Sequence, residues 1–181
     1  WVFQAGVDAG LTPGAATSKA GMIFGIAQGM ALLWSPVMGM ILDRIPRLTG
    51  VCVAFGLAGI GYSALGQVAD PFGPWMLPAA MLAGVGEASA VVAAGVLIGQ
   101  EAPAATRGTL IGVFGLCGSL GIVCLTVAGG LVFDGFGRSA PFVMMGIVNF
   151  AVLAAALWVR RGSLTGVPRA AAIAGASRNA D

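Results

Sequence analysis

The sequence predicts an all-α membrane protein, built as a polytopic bundle of transmembrane helices. Of its 181 residues, 58% are hydrophobic and only 9% are charged, and the mean hydropathy is +0.95. A soluble domain of this size could not expose such a composition to water. The apolar runs last about twenty residues or more, as helices need to cross a bilayer, and they lack the alternating polarity of barrel strands.

Five membrane spans are predicted, and several have recognisable boundary signals. Thr12 followed by Pro13 is a helix-start pattern, a capping residue before a proline at the first helical position. Asp70 and Pro71 interrupt the chain before the third span. Pro36 lies inside the first span and predicts a kink, because proline removes a backbone hydrogen bond. The predicted spans are about 15–42, 49–67, 75–99, 108–133 and 141–159.

The positive charges predict the orientation of the bundle, because Lys and Arg near helix ends are retained on the cytoplasmic side. Only Lys19 and Arg138 fall on one side. Three connections share the other side and hold the remaining seven cations, Arg44, Arg47, Arg107, Arg160, Arg161, Arg169 and Arg178. We therefore expect an integral protein of a bacterial inner membrane, with the visible amino terminus outside and the carboxyl terminus in the cytoplasm.

The two ends of the chain differ in character. Residues 1–161 form the predicted bundle, and residues 162–181 are predicted to be a polar cytoplasmic tail. The opening residues, Trp1-Val2-Phe3, resemble the end of an earlier apolar helix. We therefore expect the chain to be a fragment whose partners are the lipid bilayer and helices outside this sequence.

Several function classes are excluded by what the sequence lacks. No basic run is interleaved with aromatic residues, so a nucleic-acid partner is not expected. The chain has no histidine, and its three cysteines show no CxxC spacing, so no metal site and no cofactor are predicted. Without histidine, a GxSxG motif or paired acids at mid-membrane depth, we predict that the protein is not an enzyme.

Glu87 is the only charged side chain between residues 75 and 99. It lies about twelve residues from either end of the third span, about 18 Å deep by helical rise. An ionised carboxylate facing lipid there costs at least about 2–3 kcal/mol, so Glu87 is expected to face the bundle or a wet cavity, to be paired, or to be protonated. No cation of the chain reaches this depth, which leaves a proton, a cationic substrate or a side chain outside this sequence as its partner. The alternative is a protonated Glu87 that hydrogen-bonds a neighbouring helix.

Two other polar side chains lie at a depth comparable to that of Glu87. They are Gln28 in the first span and Ser119 in the fourth. Ser89 lies two residues after Glu87 in the third span. The residues predicted to take part in binding a small-molecule substrate or in proton coupling are Glu87, Gln28, Ser119 and Ser89. Gly21, Gly25 and Gly29, and a similar series from Gly108 to Gly121, predict helix-packing faces.

The first predicted cytoplasmic connection, "GMILDRIPR" at residues 39–47, resembles the conserved Gly-x-x-x-Asp-Arg-x-Gly-Arg loop of the major facilitator superfamily. Pro46 replaces the usual glycine, and Leu48 replaces a further basic residue. "PAATRGTLIG" at 103–112 looks like the family's Pro…Arg-Gly…Gly pattern, and "GGLVFDGFGRSAPF" at 129–142 is similar to its Gly-Gly…Asp…Gly…Phe pattern. The residues that match the first loop are Gly39, Asp43, Arg44 and Arg47.

The resemblance spans residues 1–161 and implies a secondary transporter with twelve helices in two halves. The polar tail, the altered loop and the lack of an arginine early in the third span favour helices eight to twelve, the carboxyl-terminal half, with the amino-terminal half missing. In that arrangement the first, third and fourth spans line the central cavity. Gln28, Glu87 and Ser119 would then face the substrate path.

The resemblance also implies a cytoplasmic gate that locks one access state. Asp43 at a helix end can accept hydrogen bonds from exposed amides of a neighbouring helix, and Arg47 can pair with Glu101. The alternative is that these arginines only anchor the topology. The predicted gate residues are Gly39, Asp43, Arg44, Arg47, Glu101 and Arg107.

Two other functional hypotheses stay open at this point. The pattern Gly-x-Gly-Glu-Ala at residues 84–88 also resembles the fourth helix of Spinster-like lysolipid transporters, which belongs to the amino-terminal half. A receptor or assembly subunit that transports nothing is a further alternative, because a fold does not by itself establish flux.

Overall fold

The structure is a computed structural model that describes residues 1–165, with side chains described as far as residue 161. Within these residues it is helical throughout, apart from short connections. The six helices are α1 (Val2–Asp8), α2 (Pro13–Leu42), α3 (Arg47–Gly66), α4 (Met76–Glu101), α5 (Arg107–Phe136) and α6 (Ala140–Thr165).

The all-α fold class and the five predicted spans are confirmed. Helices α2 to α6 are each long and apolar enough to cross a membrane, and their ends fall within a few residues of the predicted ones. The short helix α1 precedes them at the amino end. Residues 162–165, which were expected to belong to the polar tail, continue α6 as helix, and residues 166–181 lie outside the described part.

The predicted boundary signals act as their chemistry suggests. Thr12 caps α2, where its hydroxyl oxygen accepts a hydrogen bond from the Ala15 amide at 3.4 Å, and Pro13 is the first helical residue. A carboxylate oxygen of Asp70 accepts from the amide two residues later at 2.9 Å, which closes the turn after α3. Helix α2 continues through Pro36, and the kink stays a prediction.

Helix α4 packs against both α2 and α3, and α3 also packs against α6. Glycines allow the backbones to approach at these crossings. A Cβ at Gly61 of α3 would lie 2.6 Å from the Leu82 carbonyl oxygen, and one at Gly86 of α4 would lie 2.5 Å from the Ala58 Cα. Gly84 meets the α2 backbone in the same way. The glycines that bring helices together are therefore mainly those of α3 and α4.

The glycine series that the sequence singled out as packing faces are open in the described chain. A Cβ added at any of them would meet no atom within 4 Å at Gly21, Gly25, Gly29, Gly108, Gly112, Gly115, Gly118 or Gly121. Helix α5 has no buried residue at all and packs mainly along α6. The expected packing is thus absent among residues 1–165, because nothing in this part of the chain covers these faces of α2 and α5.

Two groups of buried side chains form the core, one toward each end of the bundle. The first lies where α2, α3 and α4 meet near the start of α4, and the second lies near the end of α2 and the start of α3. Their buried members are Ile23, Leu65, Met76, Ala79, Ala80 and Ala83 in the first group, and Met38, Leu42, Val51, Ala54 and Ala93 in the second.

Candidate functional site

Glu87 lies near the middle of α4, about 17 Å from its first residue and about 21 Å from its last at 1.5 Å per residue. The Nε2 of Gln28 on α2 donates a hydrogen bond to the Oε2 of Glu87 at 3.4 Å. Two of the four predicted site residues, 59 positions apart in sequence, are therefore neighbours in the structure. The close approach of Gly84 to Ala27 brings α2 and α4 together one turn away.

Glu87 and Gln28 line a cavity of about 340 Å³. Its other polar side-chain groups are the hydroxyl of Tyr62 of α3 and the indole N–H of Trp1, and the rest of the wall is apolar and rich in aromatic rings. The aromatic rings in the wall are those of Trp1, Phe3, Phe24, Tyr62 and Phe142. The volume lies within the range of small-molecule sites, which combine apolar walls with a few placed polar groups.

The Glu87 carboxylate has no cationic partner among the described side chains. The ion pairs found there join Arg47 to Glu101 and Arg138 to Asp8, at the two ends of the bundle. Its Oε1 makes no hydrogen bond within residues 1–165. Apart from its contact with Gln28, the side chain has one side exposed in the described part of the chain. Because contact between an ionised carboxylate and hydrocarbon is costly, this side requires protein or water against it.

Ser89 occupies a different position from the one expected. It is fully buried, its Oγ accepts a hydrogen bond from the Trp34 Nε1 at 2.9 Å, and its Oγ donates to the Val85 carbonyl at 2.7 Å. Two residues along a helix turn by about 200°, so Ser89 faces away from Glu87. Ser89 ties α4 to α2 and is not among the residues that line the cavity.

Ser119 is also separate from the cavity in the described chain. It is exposed on α5, and its hydroxyl donates to the Gly115 carbonyl of the same helix at 3.0 Å. Helix α5 makes no substantial contact with α2. The structure therefore brings together Gln28 and Glu87 but leaves Ser119 apart from them.

At one end of the bundle, Arg47 at the start of α3 forms an ion pair with Glu101 at the end of α4. This is the pairing that the sequence suggested. Both side chains are more than half exposed, and they line a surface depression together with Thr49 and Arg160. The contact joins two helices at the end where α2 is linked to α3, and its role as a gate stays a prediction.

The other predicted gate residues make only local contacts. The Asp43 amide donates to the Gly39 carbonyl at 3.1 Å and closes the end of α2. The Asp43 carboxylate has no partner among the described residues, so the expected bond to a neighbouring helix is not formed, because the side chain points into solvent beyond the helix end. Arg44 is exposed, and Arg107 donates to the Ala102 carbonyl at 3.4 Å.

A second ion pair, which the sequence analysis missed, lies at the opposite end. Arg138, between α5 and α6, pairs with Asp8 at the end of α1. Nearby, the Lys19 ammonium lies 4.6 Å from the centre of the Phe72 ring. The signal was available, since both members of the pair fall on the same predicted side of the membrane.

Long apolar helices and a loop that matches Gly-x-x-x-Asp-Arg are features of the family that the sequence resembles. The sequence profile of the Major Facilitator Superfamily matches residues 6–177. The chain belongs to the major facilitator superfamily. As a member of that superfamily it is an integral membrane protein of a transporter family, with five spans in the described part.

Proteins with similar sequences include magnetosome proteins from two bacteria. The chain is 32% identical over 161 residues to magnetosome protein MamZ of Paramagnetospirillum magneticum and to that of Magnetospirillum gryphiswaldense. It is 30% identical over 142 residues to magnetosome protein MamH of P. magneticum. These matches cover 88% and 78% of the chain. No solved structure is significantly similar.

The matched region is a small part of each relative. The matched region is 25% and 24% of the two MamZ proteins and 33% of MamH. The chain therefore spans between about a quarter and a third of the length of the curated relatives that it matches.

Proposed function

We propose that the chain is part of a secondary active transporter of a small solute, which works by alternating access and is coupled to protons through Glu87. The observation that supports this proposal is the mid-membrane carboxylate itself. Glu87 lies near the centre of α4, faces a cavity with Gln28, and has no cationic partner among the described side chains. Membership in a transporter family supplies the general class.

A single carboxylate in such a cavity can couple two fluxes. Glu87 can hold a proton or interact as a carboxylate with solute, and the energetic cost of an unpaired charge at this depth favours a state in which one of the two is present. If the loaded and empty states differ in how readily the halves rock, solute movement becomes linked to proton movement.

The uncovered surfaces support the assignment to one half of a transporter. The open side of Glu87 needs protein or water against it, the open glycine faces of α2 and α5 suit contacts with further helices, and the relatives are three to four times longer than the matched region. We assign helices α2 to α6 as the eighth to twelfth spans. The missing amino-terminal half then covers these faces.

In this assignment the protein lies in a bacterial inner membrane with its carboxyl terminus in the cytoplasm. The pair of Arg47 and Glu101 lies at the cytoplasmic end, and the pair of Arg138 and Asp8 lies at the outer end. Both pairs join parts of this chain, so in this assignment they hold its helices together at the two ends of the bundle while the halves rock.

Proton coupling can be tested in inverted membrane vesicles that contain the full-length protein. Respiration generates a pH gradient, an acridine dye reports it, and solutes are added from a panel of amines, amino acids, sugars, carboxylates and lysolipids. We expect at least one solute class to discharge the gradient, and Glu87→Gln to reduce this discharge at least tenfold. Asp134→Asn removes a carboxylate near the end of α5, outside the cavity, and serves as the matched control.

Two results would contradict the proposal. If Glu87→Gln left the rate and the pH dependence of solute movement unchanged, Glu87 would have no coupling role. If no solute moved by flux assay or discharged the gradient, the second candidate, a receptor or assembly subunit, would replace transport. The names of the relatives specify no solute, so that candidate stays open. Discharge by lysolipids alone would favour the Spinster-like alternative.

A further inference from the structure

We propose that the Glu87 cavity binds a small organic cation with an apolar body, such as a quaternary or protonated amine that carries an aromatic ring. This inference rests on the proposed function and names the substrate class of the same site. It follows from three properties of the cavity, namely its charge, its aromatic walls and its small number of polar groups.

The charge of the cavity comes from one acid that no base neutralises. Among the cavity-lining side chains Glu87 is the only one that carries a formal charge, and Gln28 satisfies only its Oε2. The side chains that line the cavity from the other helices are uncharged, namely Gln28 and apolar residues of α2, Tyr62 and Leu65 of α3, Phe142 of α6 and apolar residues of α1. The free Oε1 can therefore accept a hydrogen bond from an ammonium or pair with a quaternary nitrogen.

The walls provide the second part of the recognition. Phe24, Tyr62 and Phe142 approach the cavity from three different helices, and the Phe142 ring packs edge-on against Trp1 with centroids 5.8 Å apart. Ring faces attract cations, and the attraction grows when water is excluded. Aromatic walls with one carboxylate suit a cation that keeps little hydration.

The small number of polar groups argues against strongly hydrated solutes. Gln28, Tyr62, Glu87 and the indole N–H of Trp1 are the only polar side-chain groups in the described wall. A sugar would lose more hydrogen bonds to water than four groups can replace, and each buried unpaired group costs about 1–3 kcal/mol. An anion would meet the repulsion of Glu87 with no base at hand. The cavity of about 340 Å³ is large enough for a compact ligand.

The inference can be tested with benzyltrimethylammonium and its neutral isostere neopentylbenzene, which differ only in charge. Their binding to the purified full-length protein is measured by calorimetry between pH 5 and pH 8.5. We expect the cation to bind at least tenfold more tightly than the isostere. Because the probe cannot release a proton, we expect its affinity to fall at low pH as protons take Glu87.

Variants separate the two sources of recognition. Glu87→Gln is expected to weaken cation binding at least tenfold and to abolish its pH dependence. Phe24→Leu keeps the carboxylate and an apolar side chain, and it is expected to weaken cation binding by about two- to thirtyfold while preserving the pH dependence. Asp134→Asn, outside the cavity, should leave the affinity unchanged.

Equal binding of the cation and the isostere would overturn the inference, as would full affinity in Glu87→Gln. If Glu87→Gln did not fold, as judged by its thermal transition, the isostere comparison and Phe24→Leu would decide the question. Failure of the two proposals can be distinguished. Glu87-dependent gradient discharge by another solute, without cation binding, would remove the cation and keep the transporter. Selective cation binding without any flux would keep the cation site and remove the transporter proposal.

Discussion

The crossing of α3 and α4 allows a direct test of the helix packing with the substitution Gly61→Ala. The added Cβ would lie 2.6 Å from the Leu82 carbonyl oxygen and 2.8 Å from the Ala83 Cα. Both are backbone atoms, so relief requires the helices to separate and cannot come from rotation of a side chain. Overpacking of this kind costs about 1–3 kcal/mol.

Gly95→Ala is the matched control on α4, because a Cβ there meets no atom within 4 Å. Both variants share the gain of about 0.5–1 kcal/mol that alanine brings over glycine within a helix. The shared gain cancels when the two are compared, so the difference between their free energies of unfolding should be about 1–3 kcal/mol, with Gly61→Ala the less stable.

The free energies can be measured by equilibrium unfolding of the full-length protein in mixed micelles, followed by far-ultraviolet circular dichroism. The reasoning would be refuted if the two variants agreed within about 0.5 kcal/mol, since backbone contact at Gly61 could not then exist. A large loss in Gly95→Ala would show instead that a surface outside residues 1–165 packs against that position.

Two further substitutions test contacts between helices. Ser89→Ala removes the acceptor of the Trp34 indole, so the free energy of unfolding should fall by about 0.6–1.7 kcal/mol and the tryptophan emission should shift. Ser119→Ala, whose hydroxyl bonds only within α5, should change neither quantity. Equal effects of the two substitutions would contradict the hydrogen bond between α2 and α4. A double-mutant cycle on Arg47 and Glu101, each replaced by alanine, should give a coupling of about 0.2–1 kcal/mol that shrinks in high salt, because the pair is exposed. A coupling that is zero at low salt would show that the pair does not form.

The helices were predictable from the sequence because membrane spans have a simple signal. Apolar length alone places α2 to α6, and local chemistry such as the Thr12 cap and the turn at Asp70 sets several of the ends. The association of Gln28 with Glu87 was also predictable, since both lie at a similar depth and a single carboxylate there requires a polar partner.

Rotational position was harder to predict, because these helices are apolar on every side and have no polar stripe to orient them. Depth alone placed Ser89 and Ser119 with Glu87, whereas the structure turns Ser89 toward Trp34 and leaves Ser119 on an open helix. The glycine spacing on α2 and α5 predicts packing faces, but no described helix packs against them, so these faces stay a prediction.

The contacts between α2 and α4 bear on how such a transporter can move. Ala27 against Gly84 and Trp34 against Ser89 hold the two helices at two separate heights, on either side of the Gln28 and Glu87 pair. Each contact opposes sliding or rolling of one helix against the other, so we expect Gln28 and Glu87 to keep their relative position when α2 and α4 move. Under the proposed function, access to Glu87 would then change through movement of whatever covers its open side, and not through separation of α2 from α4.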